Sequence, residues 1–299
     1  MLRRAVPLLL SLAVLAAACT GEKAADPGLK VGGAFGVRPT VVFPEGRPSD
    51  GLRIDQLAAG KGEPLRSGDL AIAHYTAHVW DGRENRLVDS SFTRGAPVAF
   101  PVGRLLPGLD KALLGRRVGS RVIAAIPPGE GFGANPPQGI SPGDDLLYVI
   151  DILGAHPEGA SVKARGGSLA GVRAGGGARP RLSVPKSAPP ARFVAKVLSK
   201  GKGPRSRTGQ LLVTQYQGVV WERRRVFDST WSTGLPKAFT IGDGSVIKGW
   251  DRALAGVRVG SRVLMVVPPA QGYGPSGQPA FGIGPGDTLV FLVDVLAAY

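Results

Sequence analysis

Cysteine occurs once in the 299 residues, histidine three times, and aromatic side chains make up only 6%. A single thiol cannot form an intramolecular disulfide, so no disulfide framework holds the chain. His74 and His78 are spaced to share one strand face, but no third ligand accompanies them. They read as a surface polar pair rather than a zinc site. The chain lacks a Gly-x-x-x-x-Gly-Lys-Ser/Thr phosphate loop and a Gly-x-Ser-x-Gly elbow, and Gly242-x-Gly244 lacks the third glycine of a dinucleotide fingerprint. Nucleophilic, metal and hydride chemistry all lack their parts, and neither cofactor nor metal is expected.

Glycine (45) and proline (26) are abundant, which favours turn-rich β structure over a helical bundle. The length suits about two domains. Of the net charge of +15, +13 falls beyond residue 154. Such a basic half suits nucleic acid, anionic lipid or an acidic wall polymer, and the N-terminus selects among them. Arg3 and Arg4 form a positive n-region, Val6 to Ala17 an apolar run and Ala16-Ala17-Ala18 a small-residue cleavage site, the three parts of a secretory signal. The run is shorter than the ~20 residues a membrane span needs. Leu15-Ala16-Ala17-Ala18-Cys19 resembles a bacterial lipobox, with Ala16 where a larger aliphatic residue is more usual. Residues 1–18 are therefore expected to be a signal peptide, Cys19 the lipidation site and residues 19–37 a lipidated tether. The remainder is expected to be extracytoplasmic, anchored to the bacterial cell membrane, with no nucleic acid partner.

The chain repeats itself. Gly60-Lys61-Gly62 returns as Gly201-Lys202-Gly203, Tyr75 as Tyr216, Val79-Trp80 as Val220-Trp221 and Val118-Gly119-Ser120-Arg121-Val122 as Val259-Gly260-Ser261-Arg262-Val263, all at an offset of 141. The offset is 139 at Asp89/Asp228 and 143 at Asp151/Asp294, so insertions fall in Gly/Pro-rich connections, as packed elements require. Two copies of one domain are expected, at 38–154 and 179–299. Between them 155–178, rich in Gly, Ala and Arg, reads as a flexible basic linker. Runs such as Arg262–Val267 and Leu289–Val295 read as buried strands. Ser245 is a candidate N-cap for one short helix carrying Val246, Ile247, Trp250 and Leu254, closed by Gly256.

The second copy gathers aromatic and aliphatic residues at turns and strand ends around one carboxylate. Val-Phe-Asp-Ser (226–229), Val-Ile-x-Gly-Trp-Asp-x-Ala-Leu (246–254), Val-Gly-Ser-Arg (259–262), Gly-Tyr-Gly (272–274) and Asp-Thr-Leu-Val-Phe (287–291) resemble the FKBP-type (FK506-binding protein) peptidyl-prolyl cis–trans isomerases. The resemblance covers both copies and implies an α+β fold: two FKBP-like domains, each a twisted antiparallel sheet wrapped around one short helix with a proline pocket between them. It implies a pocket floor at Trp250, catalytic roles for Asp228, Tyr273 and Tyr216, and substrate-binding walls at Phe227, Val246, Ile247, Ile283 and Phe291. Phe239 is expected as a secondary wall or core residue.

Two departures stand out. The family's first pocket phenylalanine falls on Lys237, and the arginine that pairs with the aspartate falls on Thr233, which is expected to leave Asp228 less neutralised. The first copy keeps the polar trio Tyr75, Asp89 and Arg94. Its cage is thinned, with Val88, Leu109, Phe132 and Tyr148 where the second has Phe227, Trp250, Tyr273 and Phe291, and with Leu106 at the helix start. It is expected to be a weak or inactive isomerase that still binds chains. The function implied is isomerisation of X-Pro bonds in exported proteins, mainly through domain 2. The alternative is a non-catalytic extracytoplasmic chaperone or peptide-binding envelope scaffold. Expected partners are proline-containing unfolded or newly exported polypeptides, FK506-like macrolides as inhibitors, the membrane through the anchor, and an anionic envelope polymer. Arg223-Arg224-Arg225 reads as a solvated hairpin turn or a contact for that polymer.

Overall fold

A computed structural model describes residues 28–299; the signal segment, Cys19 and the first part of the tether lie outside the described residues. The first copy contains strands β1 (Lys30–Gly32), β2 (Thr40–Val42), β3 (Arg53–Ala58), β4 (Leu70–Trp80), β5 (Leu87–Ser90) and β6 (Val98–Pro101), helix α1 (Pro107–Leu113), and strands β7 (Arg121–Ile126) and β8 (Asp145–His156). The second contains β9 (Gly167–Leu169), β10 (Val172–Ala174), β11 (Leu182–Ser183), β12 (Val194–Ser199), β13 (Leu211–Val220), β14 (Arg225–Ser229), helix α2 (Thr230–Thr233), β15 (Lys237–Thr240), helix α3 (Lys248–Leu254), β16 (Arg262–Val267) and β17 (Leu289–Ala298).

Each copy builds one antiparallel sheet. Their strand orders are β3-β7-β8-β4-β5 with β6 also on β4, and β12-β16-β17-β13-β14 with β15 also on β13. The matching order confirms a tandem α+β architecture, each sheet carrying a short helix on its inner face. The second copy adds the single helical turn α2, which was not anticipated. The apolar runs lack polar alternation because both sheet faces are covered. On β16, Val263, Met265 and Val267 face Trp250 and Leu254 of α3, while Leu264 and Val266 face an outer cluster with Val172, Ala174, Trp221 and Trp231. Helix α3 begins later than expected: Ile247 occupies the N-cap position, and the Ser245 hydroxyl instead donates to the Thr240 carbonyl at 2.9 Å.

The outer covering changes the reading of the segments before each domain. Part of the expected tether forms β1, which pairs with β2, and Leu29, Val31, Val41 and Phe43 cover Trp80, Ile123 and Leu147. Part of the expected flexible linker forms β9 and β10, and β10 pairs with β11. Val172 and Ala174 are buried there despite the low apolar content of the stretch. A buried ion pair holds each strap. Arg121 meets Asp151 at 2.6 Å and donates to the carbonyls of Gly33, Ala34 and Val37. Arg262 meets Asp294 at 2.6 Å and donates to those of Gly175 and Gly177. The guanidinium has more donors than its carboxylate can accept, and the strap carbonyls take the rest.

The two modules pack through equivalent positions. Leu70 and Ile72 of β4 meet Leu211 and Val213 of β13 in one cluster. At the ends of β8 and β17, His156 Nε2 and the Tyr299 hydroxyl lie 2.8 Å apart. Among the described residues no helix is long and apolar enough to cross a membrane.

Candidate active site

In the second module, β13, β14, β15, β17 and α3 converge on a cavity of about 410 Å³. Alternation along β13 turns Tyr216 to the inner face, and Phe291 of β17 reaches the same face beside it. Helix α3 crosses beneath, and its close approach to β16 is possible because Gly249 has no Cβ to meet Val267. Trp250, only 4% exposed, is the hub of the cage. Its ring centroid lies 5.2 Å from Tyr216, 5.3 Å from Phe239 and 5.4 Å from Phe291, all edge-to-face. Phe227 in turn packs edge-on against Phe291 at 5.6 Å. Such contacts hold aromatic rings in defined orientations.

One polar cluster interrupts this apolar wall. The Tyr216 hydroxyl donates to Asp228. Lys237 Nζ sits 3.2 Å from the same carboxylate and 3.4 Å from the Tyr216 oxygen, with its charge 5.7 Å from the ring centroid. This corrects the expectation for Asp228. Thr233 turns its hydroxyl to the Thr230 carbonyl at 3.2 Å, and the cation comes from Lys237 instead. Burial and the bond to Asp228 raise the Tyr216 pKa, so the phenol stays a donor. Burial, then the Asp228 charge, raises that of Tyr273 as well. The Ile247 N–H, just before the first helical turn, has no hydrogen-bond partner among the described residues.

Tyr216, Phe227, Asp228, Phe239, Val246, Ile247, Trp250, Tyr273 and Phe291 are thus brought together around one cavity. Ile283 is not among its lining residues. It is 2% exposed in the core, and its backbone exchanges hydrogen bonds with Gln278 at 2.8 and 3.1 Å. Lys237 and Phe281 line the cavity and had been assigned no place in its wall. Phe281 sits in the longer loop after Tyr273, and the insertion there was its only sequence signal.

The first module arranges equivalent residues differently. Tyr75 donates to Asp89, Arg94 pairs with Asp89, and Arg94 Nη2 lies 3.1 Å from the Tyr75 oxygen. Burial pushes the Asp89 pKa up, but the bonds from Tyr75 and Arg94 outweigh it and the net shift is downward. Leu109 is buried in the core with Leu106 packed against it. The cavity of about 450 Å³ lies to one side, lined by Val88, Asp89, Phe132, Tyr148 and Arg86 among others. Arg94 faces a separate groove between the modules, also walled by Asp243.

An aromatic cage with one ion-paired carboxylate thus lies on the inner face of a sheet wrapped around a helix. Both copies match the family model described as FKBP-type peptidyl-prolyl cis-trans isomerase, at residues 61–153 and 203–296, more than half of the chain. The chain belongs to this family and is an enzyme of the peptidyl-prolyl isomerase class. It is 36% identical over 119 residues to an FK506-binding protein of Streptomyces anulatus, covering 40% of this chain and 96% of that one. It is 30% identical over 236 residues to the peptidyl-prolyl cis-trans isomerase FKBP9 of Rattus norvegicus, covering 78% of this chain and 35% of that one. The chain therefore spans about a third of the rat protein's length. Among solved structures, the three FKBP domains of wheat FKBP73 align at 23% identity and a TM-score of 0.34, over 83% of this chain and 95% of that one. FkpA from Escherichia coli aligns at 35% identity and 0.33, over 36% and 47%.

Proposed function

We propose that the second module carries most of the catalysis, by preferring the twisted prolyl amide over its planar forms. Rotation of the peptide bond breaks no covalent bond but faces a resonance barrier of ~18–20 kcal/mol. The twisted amide has lost resonance and part of its dipole, so an apolar cavity binds it better than the planar state, which is differential transition-state binding. A thousandfold acceleration requires about 4 kcal/mol of such preference. The observation that carries this reading is the cage of Tyr216, Phe227, Phe239, Trp250 and Phe291 around one cavity. In it Trp250 is the floor for the proline ring, while Tyr273 and the free Ile247 N–H donate to substrate carbonyls. Asp228, held by Tyr216 and Lys237, faces the turning carbonyl.

The first module is read as a chain-binding domain of weak or no isomerase activity. Its trio is complete, but its floor position is an aliphatic residue packed into the core, and its cavity walls include Arg86 and the Tyr148 ring. The substrates are proline-containing segments of unfolded or newly exported polypeptides, which hold ~10–30% cis isomer at such bonds. The sequence Leu15–Cys19 supports a lipid anchor at Cys19 on the outer side of a bacterial membrane, and the basic half supports contact with an anionic envelope polymer that weakens with salt. FK506-like macrolides would compete for the second cavity. The reading is tested with the full chain on a proline tetrapeptide: acceleration abolished by FK506 and reduced in Asp228→Ala supports it, and exchange at the spontaneous rate refutes it.

A further inference from the structure

Two of the three guanidiniums in the Arg223-Arg224-Arg225 hairpin are directed at the segment that closes the second cavity. Arg225 Nη2 donates to the Gly282 carbonyl at 2.7 Å and to that of Phe281 at 3.2 Å. Arg223 reaches the Gly282 carbonyl at 3.4 Å and pairs with Asp287, which accepts the Gly284 N–H at 2.6 Å. Gly282 is left-handed, with φ +63°, which turns its carbonyl toward the hairpin, and a Cβ there would strike Arg225. Phe281, presented by this flap, lies 6.5 Å from Phe227 at the cavity rim.

The first module repeats the arrangement. Arg86 Nη2 donates to the Gly139 carbonyl at 2.5 Å and lies 4.0 Å from Asp144, and Gly139 is left-handed at φ +88°. Arg86 and Arg225 stand three residues before the equivalent aspartates Asp89 and Asp228. The modules diverged at the pocket floor and walls yet kept this arginine on the same carbonyl. A guanidinium that merely solvates a turn has no reason to do so twice.

We infer that Arg225 is a positioning residue, clamping the 278–284 flap against the cavity and setting how tightly a proline substrate is held rather than how fast its bond turns. The inference rests on the reading of the second module as the catalytic one. Arg225 does not line the cavity, so it acts through the flap and Phe281. Loss of substrate grip common to ground and transition states raises KM and leaves kcat.

The test measures KM and kcat of the full chain for a proline tetrapeptide, with hydrogen exchange across 278–284. Arg225→Ala is expected to raise KM about 5–10-fold with kcat within about twofold, and to speed exchange in the flap. Arg225→Lys keeps the charge but loses the fork, and should fall between. Arg224→Ala removes the same charge from the same turn and should match the wild type. An unchanged KM in Arg225→Ala, a loss confined to kcat, or an equal KM rise in Arg224→Ala overturns the clamp. A wild type that does not catalyse refutes the catalytic reading instead, and flap exchange in Arg225→Ala still decides the clamp.

Discussion

Lys237 holds its ammonium 3.2 Å from the Asp228 carboxylate, in the strand where the resemblance led us to expect a pocket phenylalanine. In the first module the cation comes instead from Arg94, five residues after Asp89. In the second module Lys237 thus supplies the cation for the carboxylate, and Thr233 turns its hydroxyl to the Thr230 carbonyl instead. The pair is half-exposed, so its worth is small, about 0.2–1 kcal/mol. Lys237→Met should lower kcat/KM for a proline peptide about two- to fivefold, and adding Thr233→Arg should restore it. Wild-type activity in Lys237→Met, or no restoration, would show that the ammonium does not organise Asp228.

The Arg262–Asp294 pair is fully buried and carries the strap of β10 and β11 on its remaining donors. Removing one partner of such a pair strands the other charge, at about 3–5 kcal/mol. Arg262→Met should therefore lower the unfolding free energy of the second module by that amount, read as a lower denaturant midpoint at unchanged slope, and release the 167–183 strap to proteolysis. A variant as stable as wild type, with the strap still protected, would contradict the role given to this pair.

His156, half-buried between the modules against Tyr299, has its pKa lowered from 6.5 to about 4 by burial, with Asp69 opposing. The docked state holds the imidazole neutral, so the undocked or unfolded chain binds more protons between these values. The resulting stability is fully present above pH 6.5 and lost progressively as pH falls toward 4, to at most about 3 kcal/mol. Thermal unfolding at pH 7.5 and 5 should show a larger acid loss in wild type than in His156→Gln. Equal losses would remove His156 as the cause.

The repeat, the strand runs and most of the cage were legible because each rests on local pattern: one offset, apolar runs between turns, and aromatic residues at motif positions. The straps were not. Few apolar residues mark 167–183, and the segment is held by a guanidinium nearly a hundred residues away taking its carbonyls, an interaction no local periodicity records. Lys237 read as a defect because its reach to Asp228 depends on β15 and β14 lying on the same strand, β13. The resemblance implied a wall role for Ile283 from its place in the motif order, and its ladder with Gln278, beside a 2% exposed side chain in the core, was not visible there.

The most direct measurement is cis–trans exchange of a proline tetrapeptide by the full chain, comparing wild type with Trp250→Leu, with the unfolding midpoint recorded for both. Trp250 contacts Tyr216, Phe239 and Phe291 and lines the cavity, and Leu109 stands at the equivalent position in the first module. The account predicts a loss of about 10–100-fold in kcat/KM, equivalent to roughly 1.4–2.7 kcal/mol of transition-state binding, in a variant that still unfolds cooperatively. A folded Trp250→Leu chain that turns over the peptide at the wild-type rate would contradict it.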